Sequence, residues 1–397
     1  VSKLGLIILA GGLSSRMGRH KALLPWTNGE SLISHALRNA LEHDIEDILI
    51  SIGDDESLGY AIQKDILDTL SNEERNKVSI VRDAVRRSGP VGGLYSALSV
   101  GRSSAYGLLA VDMPFMDISL YYRWLYDVDD FWNAIVPMGE SNRLEPMAGI
   151  YQRHIVESLQ QVLNGEDVSL HHALHMIGSV AVVQATTDVD YFRNVNHFDE
   201  YVWARAEMLN TERLVPVVTV VSKERKTGKT TVVTRLVEVL SQKGLSVGVV
   251  KSDGHGFYMD HEGTDTAKAF DAGANAVAIA GPTETAIRFR TEGQTNLYHL
   301  TQQMPVDIVI LETRSQGICP IIEVVQSSVI KHSYTDDQHN PVSEDNNVAI
   351  YDNNEVCISN AEDRVALVDL DTLDYTLPKL VEQIERMVRV SHGRRFR

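Results

Sequence analysis

The sequence predicts an α/β protein of two domains, each an open, doubly wound sheet of mostly parallel strands. Three observations carry that expectation. Apolar strands alternate with amphipathic helical stretches; the alternation starts twice, at residue 4 and again at about residue 215; and each opening strand runs into a short phosphate-type loop followed by a helix.

The first series opens at 4–9, an unbroken apolar run of the kind found in a parallel sheet covered on both faces. Further strands are predicted at 47–52, 78–81, 106–111 and 134–137, with amphipathic helices at 31–43 and 91–100. Near Asn210 the pattern restarts. A helix at 197–209 gives way to the short polar stretch 210–213, then to a strand at 215–221 and a helix at 232–243, so the domains are expected to span 1–210 and 214–397. Strands at 246–251, 276–279, 306–311 and 321–325 continue the second series. Residues 333–347 are polar, acidic and free of apolar periodicity, the signature of a surface loop.

Composition bounds the function. With 397 residues, 43% hydrophobic and 23% charged, the chain has apolar material for two cores and excludes wholesale disorder. No apolar run approaches the ~20 residues that span a bilayer, and the early run is too short for a signal peptide, so a cytoplasmic protein is expected. Cys319 and Cys357 are the only cysteines, too few for a disulfide framework, and read as reduced thiols. A net charge of −17 repels nucleic acid and anionic membranes, so neither is an expected partner. A specific anionic ligand needs positive charge and backbone N–H groups gathered at one place.

The loop 10–21 gathers them. Gly11, Gly12 and Gly18 leave room for backbone N–H groups to face phosphate oxygens, and Arg16, Arg19 and Lys21 invert the local field. In an open α/β sheet, ligands sit beyond the carboxyl ends of the strands, where this loop and Asp112 both fall. By itself the loop says phosphate. Its wording, Leu9-Ala10-Gly11-Gly12-x-Ser14-x-Arg16-Met17-Gly18-x-x-Lys21, resembles the opening signature of the MobA family, nucleotidyltransferases that include the molybdenum cofactor guanylyltransferases. Arg82-Asp83 with Gly89-Pro90-Val91-Gly92-Gly93-Leu94 resembles that family's second nucleotide-contacting loop, and Val111-Asp112-Met113-Pro114-Phe115 its metal-binding turn. Arg143-Leu144-Glu145-Pro146-Met147-Ala148-Gly149 and Asn194-Val195-Asn196 resemble its acceptor-side segments.

The resemblance implies a Rossmann-like nucleotidyltransferase sheet. Nucleotidyl transfer drives an anionic phosphate against the α-phosphorus of a nucleoside triphosphate, so neutralising charge matters more than abstracting a proton. Arg16, Lys21 and Asp112 are the catalytic candidates, the first two for phosphate charge and Asp112 as a Mg²⁺ ligand, since Mg²⁺ uses one or two carboxylates plus phosphate oxygens. Leu9, Ala10, Gly11, Gly12, Lys21, Ser51, Asp83 and Asp112 are the nucleotide-binding set; Asn194 and Asn196 lie on the acceptor side. Ala10-Gly11-Gly12 resembles the guanylyl form rather than the cytidylyl Ala-Ala-Gly. Where the family carries a base-side asparagine this chain offers Ser51, which leaves cytosine open. His171 and His175 share a helical face but lack a third metal ligand, so a polar helix face is the reading.

In the second domain, Thr227-Gly228-Lys229-Thr230 between an apolar strand and a helix has the setting of a P-loop, although Lys223 stands where the first glycine belongs. Val250-Lys251-x-x-x-His255, Asp260-x-x-Gly263-x-Asp265-Thr266, Ala272-Gly273-Ala274, Val309-Ile310-Leu311-Glu312 and Ile322-Glu323-Val324 resemble the MobB family, the P-loop adapter of molybdopterin guanine dinucleotide synthesis. That implies a P-loop NTPase-like α/β domain in which Gly228, Lys229, Thr230, Thr231 and Glu312 bind nucleotide. Glu312-Thr313 stands where the family has Glu-Gly. The chain is thus expected to transfer GMP from Mg·GTP to molybdopterin or Mo-molybdopterin, releasing pyrophosphate, with a fused GTP-binding adapter. Partners that donate molybdopterin or receive the cofactor are implied too. Cytidylyl or sugar-phosphate nucleotidyl transfer, and a non-catalytic nucleotide-binding regulator, are the alternatives.

Overall fold

The computed structural model describes residues 4–11, 20–86, 88–128, 131–139, 142–185, 189–222, 226–252, 261, 263–291, 293, 295–314, 317–325 and 363–395. Two compact units divide the chain, Val1–Tyr201 and Val202–Arg397. The division falls within a helix, upstream of the 210–214 stretch read from sequence as the boundary.

Unit 1 runs β1 (Leu4–Leu9), α1 (Leu32–Leu41), β2 (Ile48–Ser51), α2 (Glu56–Asp65), α3 (Asn72–Lys77), β3 (Val78–Val81), α4 (Gly89–Val100), β4 (Ala105–Ala110), α5 (Ser119–Asp127), β5 (Ala134–Met138), β6 (Ile150–Gln152), α6 (Val156–Leu163), α7 (Leu170–Ile177), β7 (Val180–Gln184) and the start of α8 (Phe198–Thr211). The strands form one sheet in the order β3-β2-β1-β4-β6-β5-β7. β1 is parallel to both β2 and β4, whereas β6 is antiparallel to β4 and β5. All six residues of β1 and of β4 are buried, as expected of central strands covered on both faces. α1 begins where the Ser31 hydroxyl accepts the Ser34 N–H, a side-chain N-cap that satisfies an otherwise orphaned donor. β6 was not read from the sequence, because three residues carry no usable periodicity.

At the amino edge of this sheet, Asp47 ties β2 to β4. Its carboxylate accepts the Arg102 backbone N–H at 2.7 Å, the Arg102 guanidinium at 2.7 and 3.0 Å, and the Tyr106 hydroxyl. Burial pushes the Asp47 carboxyl up, but the Tyr106 and Arg102 hydrogen bonds outweigh it and hold the group below the usual carboxylate range.

Unit 2 contains the rest of α8, then β8 (Val217–Val221), α9 (Lys229–Gln242), β9 (Val247–Lys251), α10 (Asp265–Asp271), β10 (Ala276–Ala280), β11 (Thr285–Phe289), α11 (Leu297–Gln302), β12 (Ile308–Thr313), β13 (Ile321–Val324), β14 (Arg364–Val368) and α12 (Leu373–Arg395). Five strands form an all-parallel sheet, β14-β13-β8-β12-β9. The core packs β8, β12 and β13 against α9 and α12 through Val218, Val220, Leu236, Ile310, Ile322 and Ile384.

One expectation changes here. Residues 276–279 do not join the parallel sheet: β10 pairs antiparallel with β11 as a separate hairpin, because four residues, 281–284, are too short for a crossover. The polar stretch at 210–213 is no exposed linker. Asn210 is fully buried; its Oδ1 accepts the Val217 N–H at 2.8 Å and the buried Arg213 guanidinium at 2.9 Å, and its amide donates to the Ala206 carbonyl. Cys319 is a buried free thiol whose pKa burial pushes up to about 12, which keeps it protonated and unreactive. Cys357 and the segment 333–347 lie outside the described residues. Among the described residues no helix is long and apolar enough to cross a membrane.

Asp47→Asn should lower unfolding free energy by about 2–4 kcal/mol at neutral pH, because it strands buried donors and removes a charge-assisted network. A lowered native pKa contributes stability that is lost as pH falls through it. Denaturant melts of variant and wild type should therefore converge in acid, below the ordinary carboxylate range.

Candidate nucleotidyl-transfer site

The strand order places β1 at the point where the chain's direction of winding reverses, with β2 on one side and β4 on the other, and ligands of open α/β sheets bind at such a point. The elements that leave the carboxyl ends of β1, β2, β3 and β4 bring together residues far apart in sequence. Lys21, in the turn after the β1 loop, donates to Asp112 Oδ2 at 2.9 Å and to Asn196 Oδ1 at 3.1 Å. Asp112 follows β4; its backbone carbonyl accepts the Val195 N–H at 2.9 Å, which fixes the 193–196 turn beside it. Both side chains of the Lys21–Asp112 pair remain about one-fifth exposed, so a ligand can reach them. Asn194 is exposed in the same turn. Three of the predicted groups, a phosphate-type cation, a metal-type carboxylate and an acceptor-side amide, thus meet at one edge.

On the other flank, the buried Ser51 hydroxyl at the end of β2 donates to Asp83 Oδ1 at 2.8 Å. Burial raises the Asp83 pKa; the Ser51 hydrogen bond opposes that rise and Asp54 adds to it. Gly93, in the second turn of α4, allows the helix to approach this pair: a Cβ there would sit 2.8 Å from both Ser51 Oγ and Leu9 Cδ2. The N–H groups of Ala10 and Gly11 both donate to the Ser51 carbonyl, at 2.8 and 3.0 Å, so they close the sheet rather than a phosphate nest. Leu9 likewise gives its carbonyl to the Val111 N–H. Gly12 and Arg16 lie outside the described residues.

Unit 2 repeats the arrangement around β8. A cavity of about 570 Å³ opens at the amino end of α9, with Gly228, Lys229, Thr230 and Thr231 on one side and Lys251, Glu312 and Arg314 among the groups on the other. The Lys229 ammonium donates to the Thr313 carbonyl at 3.1 Å, and the Thr230 hydroxyl to Glu312 Oε1 at 3.4 Å. Because Lys229 uses the backbone of residue 313, threonine in place of the family's glycine leaves that contact intact. Burial lowers the Lys229 pKa; Glu312 opposes this, and Arg314 and Lys251 add to it. Gly228 caps α9 with φ +94°, and a Cβ there would meet the Leu370 side chain at 2.6 Å. Lys226 holds φ +63°, the left-handed region that favours glycine, in a loop poor in glycine. Sequence reasoning did not assign Arg314 and Leu370 to this pocket. Leu370 carries no local signal, since the turn after β14 alone brings it there. His171, His172 and His175 lie on α7; among the described residues no group of three or more His, Cys, Asp or Glu side chains is placed to hold a metal.

Fold and site define a nucleotidyltransferase sheet joined in one chain to a P-loop-like α/β domain. Residues 6–179 match the family model of the MobA-like NTP transferase domain, and residues 217–345 match that of molybdopterin guanine dinucleotide synthesis protein B, MobB. The chain is a fusion of the two. A Bacillus cereus (strain G9842) protein named probable molybdenum cofactor guanylyltransferase is 27% identical over 207 residues, 51% of this chain and 96% of its own length. One of the same name from Bacillus anthracis is 26% identical over 213 residues, 53% of this chain and all of its own. Among solved structures, molybdopterin-guanine dinucleotide biosynthesis protein A from Archaeoglobus fulgidus overlays with a TM-score of 0.39 at 19% identity, covering 50% of this chain and 94% of the other.

Gly93→Ala should disturb this site more than the fold. The added methyl forces Ser51 away from Asp83, while alanine's helix propensity offsets part of an overpacking cost of about 1–3 kcal/mol. Calorimetric titration should show nucleotide affinity down roughly tenfold, with a thermal midpoint only a few degrees lower.

Proposed function

We propose that unit 1 transfers GMP from Mg·GTP to the terminal phosphate of molybdopterin or Mo-molybdopterin, releasing pyrophosphate, and that unit 2 is a GTP-binding adapter. The observation that carries this reading is Lys21 bridging Asp112 and Asn196. The ammonium lies where the phosphates of donor and acceptor crowd, so it offsets charge that builds in the transition state. Arg16 adds positive charge from the same loop. Since the nucleophile is already an anionic phosphate, no general base is needed, and attack on the α-phosphorus expels pyrophosphate directly.

The Asp112 carboxylate, a hard oxygen donor, fits Mg²⁺ and would hold it together with phosphate oxygens of the nucleotide. A Mg²⁺ ion held by Asp112 would supply neutralisation of phosphate charge. Asn194 and Asn196 hold the acceptor phosphate in line by hydrogen bonds.

The Ser51–Asp83 pair favours guanine. Guanine offers two adjacent donors, N1–H and the 2-amino group, which suit a carboxylate; the pairing edge of cytosine offers one donor and two acceptors. The shorter Ser51 then serves Asp83 rather than the base. In unit 2, Lys229 and the amino end of α9 take the GTP phosphates, and Thr230 with Glu312 the accompanying Mg²⁺.

With molybdopterin present, GTP should release pyrophosphate at least tenfold faster than CTP; equal or reversed rates would transfer the assignment to the cytidylyl class. Asp112→Asn keeps shape but loses charge, and kcat should fall 100-fold or more with an unchanged melting temperature. Turnover near wild type at limiting Mg²⁺ would rule out Asp112 as the metal ligand. In unit 2, Lys229→Ala should abolish the calorimetric GTP signal assigned to that pocket while pyrophosphate release by unit 1 persists.

A further inference from the structure

One carboxylate at the reacting edge has no role in that scheme. Glu145 lies in the turn between β5 and β6, where its N–H donates to the Pro137 carbonyl at 2.9 Å and Leu144 bridges to Met138. This pairing prolongs the β6 position along β5, one strand over from β4 and Asp112, on the flank opposite Ser51 and Asp83. The Glu145 side chain is half-buried, yet among the described residues no donor hydrogen-bonds its carboxylate. The buried Asp47 and the partly buried Asp83 each have a donor. Burial raises the Glu145 pKa and outweighs the longer-range attraction that Arg143 and His171 exert on it among the described residues. Gly139 leaves the space beside it open, since a Cβ there would stand 3.4 Å from Glu145 Cγ and 3.5 Å from Oε1. A half-buried carboxylate with no donor among the described residues keeps its hydrogen-bonding capacity for a ligand.

We propose that Glu145 recognises the acceptor by accepting hydrogen bonds from the amino-pyrimidinone edge of its pterin ring. This rests on the transferase reading above. A phosphate-bearing acceptor whose phosphate lies at Lys21 and Asn196 must place its other end away from the nucleotide, and on that side Glu145 is a half-buried carboxylate with no donor among the described residues. Ring N–H and exocyclic amine form two parallel donors matched to two carboxylate oxygens, whereas a second phosphate would be repelled. Glu145 is thus a specificity residue and takes no part in bond making.

The test uses the full chain and three measurements. In Glu145→Gln, KM for molybdopterin should rise about 10- to 100-fold, while KM for GTP stays within about twofold and the melting temperature holds. Glu145→Asp, which keeps the charge but withdraws it by one methylene, should fall between. Binding of two phosphate-free probes, followed by their fluorescence, reads the edge directly: wild type should prefer 6-hydroxymethylpterin to 6-hydroxymethyllumazine, which has an oxo group in place of the 2-amino group, and Glu145→Gln should lose that preference. An unchanged molybdopterin KM in Glu145→Gln, or a parallel rise in the GTP or Mg²⁺ requirement, would overturn the assignment. A wild type that discriminates pterin from lumazine through Glu145 but releases no molybdopterin-dependent pyrophosphate would uphold it and overturn the transferase reading instead.

Discussion

The parallel pairing of β1 with β4 is the constraint on which the rest of the first unit depends. Register runs from Leu4 opposite Ala105 to Leu9 opposite Ala110, and both strands are buried throughout. Burying two such strands side by side fixes where each ends, because a slip of one residue would turn every side chain to the other face. Their ends coincide, so the loop after β1 and the turn after β4 open at the same edge. That is why Lys21 can reach Asp112 across 91 residues of sequence. The Asp47 network clamps the opposite edge, far from the chemistry, and leaves the reacting edge free to carry charge.

Both units use the same physical device. A central strand, β1 or β8, is flanked by strands from either direction, and its loop meets a carboxylate from the neighbouring strand: Asp112 after β4 in one case, Glu312 at the end of β12 in the other. In each, a lysine from the loop lies within reach of that neighbouring strand's end. The difference lies in what surrounds the pair. Unit 1 adds polar groups on both flanks, Ser51 with Asp83 on one and Asn196 on the other, which suits two substrates meeting end to end. Unit 2 adds cations, Lys251 and Arg314, around one cavity, which suits a single polyanion.

Long apolar strands and their loops were legible in the sequence because six-residue buried runs leave a strong pattern: β1, β4 and β12 fall within a residue or two of expectation. That the loop after β1 and Asp112 lie beyond the carboxyl ends of strands follows from the same pattern, whereas the Lys21–Asp112 contact is seen only in the structure. What was not legible depends on three-dimensional placement. β6 is too short to read, and the turn before it holds Glu145. Residues 276–279 look like a sheet strand until the short turn after them forces a hairpin. Asn210 and Arg213 look like a polar linker, because composition does not reveal that they satisfy one another and Val217 in the core. Glu145 stands in a recognisable segment, but that none of the described residues donates a hydrogen bond to it is visible only once its neighbours are in place.

The central claim is that Lys21 and Asp112 organise attack of an acceptor phosphate on the α-phosphorus of GTP. A single-turnover experiment with GTP labelled in turn at the α- and γ-phosphates, with and without molybdopterin, tests it most directly. Attack at the α-phosphorus leaves α-label in the dinucleotide product and γ-label in pyrophosphate, both only when molybdopterin is present. Release of γ-label as inorganic phosphate, or its transfer to the acceptor, would contradict it.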